Sequence, residues 1–71
     1  MEGIIFKEIL KNYLKDNGLT QTAFALEVGV KPSQVSEWLK GKAKPGYDLL
    51  KQIVKAYDVS AEFWLGLTQE Y

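Results

Sequence analysis

Apolar and polar positions along this chain recur with the period of a helix and nowhere with the period of a strand. Ile5, Phe6, Ile9, Leu10, Tyr13 and Leu14 lie three and four residues apart, which gathers them on one face of a helix. They predict a first helix from about Ile4 to Lys15, with Glu8 and Asn12 on the solvated side. Asn17-Gly18 ends it, because both residues tolerate the left-handed backbone of a helix C-terminus. Thr20 is a suitable N-cap for a second helix, Gln21 to Val28, which Gly29 stops. Pro32 suits the first turn of a third helix, where its fixed φ fits and its missing N–H costs nothing. Gly41 closes that helix after Lys40. Leu49, Leu50, Ile53, Val54 and Tyr57 form the cleanest stripe, predicting a fourth, core-facing helix from about Gly46 to Tyr57. Ser60 caps a short fifth helix through Leu65, with Glu62 near the positive end of its dipole.

The middle of this pattern has a physical consequence. Two helices of about eight residues joined by a turn of about three must cross steeply. Ala25 is small where they approach most closely, and Gly29 can take the positive φ that reverses the chain. Val28, Val30, Val35 and Trp38 face inward on this reading. Lys31, Ser33, Gln34, Ser36 and Glu37 remain on the outside of the third helix. Such a helix is offered to a groove.

Seventy-one residues make one domain, spanning 1–71, and the 46% apolar content suffices for one small core. With no cysteine and no histidine, a disulfide framework, a thiolate or imidazole metal site and a Cys/His nucleophile pair are all excluded. Thr20, Thr22, Ser33 and Ser36 have no imidazole to activate them, and no carboxylates pair convincingly, so no enzyme and no cofactor is expected. No apolar run reaches membrane-span length, and Met1-Glu2 opens no signal segment. The expectation is a soluble protein of the bacterial cytoplasm.

Formal net charge is zero, but its distribution is uneven. Residues 31–44 hold Lys31, Lys40, Lys42 and Lys44 against Glu37 alone, whereas 56–71 hold only Asp58, Glu62 and Glu70. A basic middle of this kind fits a phosphate-facing patch.

The segment from Leu19 to Lys42 closely resembles the helix-turn-helix of the Cro and phage-repressor (XRE-type, lambda-repressor-like) family. The match lies at Leu19, Thr20, Gln21, Phe24, Ala25, Val28, Gly29, Val30, Val35, Ser36, Trp38, Gly41 and Lys42. It continues through Pro45, the fourth-helix stripe and Tyr57-Asp-Val-Ser-Ala-Glu-Phe-Trp-Leu-Gly66. The resemblance implies a compact all-α, five-helix DNA-binding domain with the helix-turn-helix at 20–40. It also implies a third helix that enters the major groove. Carried over by position, Pro32, Ser33, Ser36 and Glu37 are the expected base readers. Gln21, Lys31, Gln34, Lys40, Lys42 and Lys44 are the expected backbone contacts, supplying affinity without sequence information.

Two departures weigh on readout. Pro32 stands where relatives carry a polar reader, so it offers only apolar contact, and Glu37 accepts from cytosine but repels phosphate. No arginine occurs anywhere. The implied function is a sequence-specific transcriptional regulator binding operator DNA as a dimer. The rival is an antirepressor or antitoxin-like module that docks on a partner repressor. In the C-terminal helix and tail, residues 60–71, the cluster Phe63, Trp64, Leu65, Leu67 and Tyr71 is expected to supply a homodimer or partner surface.

Overall fold

In the computed structural model, which describes residues 2–67, five helices follow one another: α1 Glu2–Asp16, α2 Gln21–Val28, α3 Pro32–Leu39, α4 Tyr47–Tyr57 and α5 Ala61–Trp64. No strand occurs among the described residues. The helix ends lie where local chemistry stops the chain. Thr20 Oγ1 accepts the Ala23 N–H at 3.0 Å, and Ser60 Oγ accepts the Phe63 N–H at 3.2 Å. Each side chain satisfies an N–H that has no partner within its own helix. At the other ends, Gly18, Gly29 and Asp58 adopt left-handed backbone at φ 62°, 90° and 51°. The expected boundaries shift by a residue or two: α1 begins at Glu2, while Lys40, Gly46 and Leu65 are caps rather than helical residues.

The core is drawn from every helix. Phe6, Leu10, Tyr13 and Leu14 of α1 meet Phe24, Ala25 and Val28 of α2. Val35 and Trp38 of α3, Ile53 of α4, Val59, and Phe63 and Trp64 of α5 complete it. Trp64 is its hub, with ring centroids 4.9 Å from Tyr13, 5.2 Å from Phe63 and 6.2 Å from both Phe6 and Phe24. Phe24 also stacks on Tyr57 at 5.3 Å, with the planes 7° apart. Trp38 meets Phe6 edge-on at 5.9 Å and is 2% exposed, so it is a core residue.

Two expectations are corrected. Phe63 and Trp64 are not partner surface: they are 9% and 1% exposed, because the four-residue α5 folds back against α1 and α4 and inserts both rings. The α4 stripe is not uniformly core either. Only Ile53 is fully buried, while Leu49, Leu50, Val54 and Tyr57 are half-buried. The reason is the packing: α4 rests chiefly on α2 and α5, and these four pack against the edge of the core rather than inside it.

Candidate nucleic-acid interface

The site is built by two helices held at a fixed angle. α2 packs more extensively on α3 than any other pair of helices does. Ala25 lies wholly buried on α2, where a larger side chain would push the helices apart. At the corner, the N–H groups of Gly29 and Val30 both donate to the Ala25 carbonyl, at 2.8 and 2.9 Å. This arrangement needs the left-handed φ of 90° that Gly29 supplies. Val28 and Val35 are buried beneath the corner and Val30 is half-buried. The inward set read from the sequence is therefore the inward set of the structure.

What faces outward is correspondingly well defined. Lys31, Pro32, Ser33, Gln34 and Glu37 are exposed along α3, and Ser36 is half-buried at its edge. Lys31 caps α3 through its backbone only, without a side-chain hydrogen bond. The amino end of the helix thus keeps its positive dipole toward solvent, with the Lys31 charge beside it. Gln21 is exposed at the start of α2, one residue after the Thr20 cap.

Beyond α3 the chain turns through residues 40–46, and the carbonyls of α3 fix the turn's beginning. The Lys40 N–H donates to Ser36 at 3.0 Å, Gly41 to Trp38 at 3.1 Å and Lys42 to Glu37 at 3.1 Å. Lys40, Lys42 and Lys44 are exposed there. The structure thus brings the expected backbone lysines into one basic turn at the carboxyl end of α3, and sets Lys31 at its amino end.

One cation escaped the sequence reading. Lys7, half-buried on α1, lays its stem across Gly41: a Cβ on Gly41 would come within 3.3 Å of Lys7 Cδ. A residue from the far end of the chain therefore joins the basic turn. Its position beside Phe6 on the first helix gave no sign of this, because the contact depends on how α1 crosses α3. Later in the chain, Leu65 and Leu67 are 55% and 73% exposed, and Tyr71 lies outside the described residues. Among the described residues, no group of three or more acidic side chains is placed to hold a metal, and no helix is long and apolar enough to cross a membrane.

Two short helices locked around a left-handed glycine, the second presenting a polar face between lysines, define a DNA-binding regulator of the helix-turn-helix class. The family model described as Helix-turn-helix matches residues 10–64, and the chain belongs to that family, consistent with its Cro and phage-repressor pattern. No curated protein and no solved structure matches it.

Proposed function

We propose that this chain is a sequence-specific transcriptional regulator of the Cro-like or short-repressor type, from a phage or bacterium, that blocks promoters by occupying operator DNA. The observation that carries this reading is the exposed polar face of α3 bracketed by Lys31 and the Lys40–Lys42–Lys44 turn. Pro32, Ser33, Ser36 and Glu37 meet base edges in the major groove. The two serines serve as donors or acceptors, Glu37 accepts from cytosine N4, and Pro32 contacts a thymine methyl. Gln21, Lys31, Gln34, Lys40, Lys42 and Lys44 hold phosphates, and Lys7 joins them beside Gly41. Two copies set their α3 helices in successive major grooves, about one helical turn apart.

The docking alternative, an antirepressor or antitoxin-like module, drew much of its appeal from the aromatic tail. With Phe63 and Trp64 in the core, it retains the exposed Leu65 and Leu67, the zero net charge, the absence of arginine and the awkward Pro32 and Glu37. A titration against randomised duplexes at two salt concentrations separates the two. Phosphate-driven binding weakens steeply as salt rises, whereas an apolar protein interface does not.

A further inference from the structure

The dipeptide Asn17-Gly18 closes α1, and it carries a chemistry that DNA reading does not use. Asparagine followed by glycine is prone to intramolecular attack, because no side chain shields the glycine nitrogen from the asparagine side-chain carbonyl carbon. The chain has two asparagines, and the other, Asn12, precedes the bulky Tyr13 within α1. Asn17 and Gly18 are both exposed, so water and hydroxide reach them.

The fold restrains both reacting groups. The Gly18 N–H, whose nitrogen is the nucleophile, donates to the Lys15 carbonyl at 3.3 Å, and the Leu19 N–H donates to the Leu14 carbonyl at 2.9 Å. These two bonds are the Schellman closure of α1, with Gly18 left-handed at φ 62°. The leaving group is tied as well. Asn17 Nδ2 donates to the Tyr13 carbonyl at 2.9 Å, which also accepts the Asn17 N–H at 3.1 Å. Nucleophile and leaving group are thus each committed to a carbonyl near the end of α1.

We propose that Asn17 is a site of spontaneous deamidation, gated by fraying of the carboxyl end of α1. When that end opens, the Gly18 nitrogen gives its proton to hydroxide and attacks Asn17 Cγ. The N–Cγ bond forms, the Cγ–Nδ2 bond breaks, and ammonia leaves with a proton taken from water, giving a cyclic succinimide. Water then opens the ring at either carbonyl, leaving aspartate or isoaspartate at position 17. No oxidant or reductant is involved. Either product undoes the closure that slowed its formation. A carboxylate donates nothing to the Tyr13 carbonyl, and it sets a negative charge beside Asp16 at the negative end of the α1 dipole. Isoaspartate also lengthens the backbone by a methylene, so the Gly18 and Leu19 bonds fall out of register. The disturbance lands on Tyr13, whose ring meets those of Trp64, Tyr57 and Phe63 at 4.9, 5.7 and 6.1 Å. Each modified molecule opens more readily than before, and the reaction becomes a clock on the folded lifetime of the protein, whatever it binds.

The test follows the full chain at mildly alkaline pH, folded in buffer and unfolded in guanidinium chloride, by intact mass and peptide mapping over time. In the unfolded chain, conversion should accumulate at Asn17 well ahead of Asn12. In the folded chain the same site should convert at least about tenfold more slowly, the ratio set by how seldom the end of α1 opens. Leu19→Ala trims a half-buried residue of the closure, so it should speed conversion in buffer and leave the denatured rate unchanged. Asn17→Asp, the product with normal backbone, should raise the unfolding equilibrium constant about fivefold. Equal rates in buffer and denaturant would remove the gate, and an Asn12 that converts as fast as Asn17 would remove the site. An Asn17→Asp variant as stable as the wild type would remove the clock. Any of the three overturns the proposal.

Discussion

Gly29 shows most simply how one residue sets the geometry of the site. Its φ is 90°, and a Cβ there would meet nothing within 4 Å, so the demand for glycine comes from the backbone alone. Left-handed backbone costs an ordinary residue about 1–2 kcal/mol, while alanine recovers about 0.4–1 kcal/mol by restricting the unfolded chain. Gly29→Ala should therefore destabilise by about 1 kcal/mol, read as a melting temperature lowered by about 4–8 °C. A much larger loss would mean that α2 and α3 had changed their crossing. Tyr57 supplies a second prediction. Burial first, then the charge of Glu27 and the neighbouring Tyr13, hold its phenol above the ordinary tyrosine range. The folded state therefore keeps a proton that the unfolded state releases near pH 10. Stability from this group is complete below that pH and falls as pH rises through the folded value. Tyr57→Phe, which keeps the ring against Phe24, should lose less stability than the wild type between neutral pH and pH 11. Parallel urea melts at the two pH values check it, and equal losses would contradict it.

Among the elements, order and type were readable in the sequence because each helix carries its own stop or cap: Thr20, Gly29, Pro32 and Ser60 do locally what their chemistry predicts. The polar face of α3 was readable for the same reason, since Val35 and Trp38 point its other face inward. What could not be read was which elements cover which. An apolar stripe states that α4 has something to bury but not that α2 and α5 cover only part of it. Nor does a cluster of aromatics reveal that Phe63 and Trp64 go inside while Leu65 and Leu67 stay out. Lys7 was hidden likewise, being remote in sequence from the turn it reaches. The division of labour along α3 and its turn is testable at this scale. Replacing Ser33 and Ser36 with alanine should flatten sequence preference more than it weakens non-specific binding. Replacing Lys42 and Lys44 with alanine should weaken binding to all duplexes alike and reduce the salt slope by about 1 per lysine. Anisotropy titrations on matched and scrambled duplexes distinguish the two patterns. If both pairs behaved alike, the assignment of base-reading and backbone roles would fail.

Taken as a whole, the molecule sets its polar and apolar features on different elements. α3 and its turn carry the lysines, an apolar groove runs along α4 to Ala61, and the aromatic cluster around Trp64 joins all the helices. Zero net charge is no obstacle to a DNA partner when the lysines of 31–44 are gathered around α3 and the carboxylates of Asp58 and Glu62 lie at the α4–α5 corner. It does imply modest non-specific affinity. The measurement that tests this account most directly is retention of randomised duplexes at low and moderate salt, with sequencing of the retained pool. The account predicts enrichment of a palindrome whose half-sites lie about one helical turn apart, with affinity falling as salt rises. A folded protein that retains no duplex at either salt concentration would contradict it.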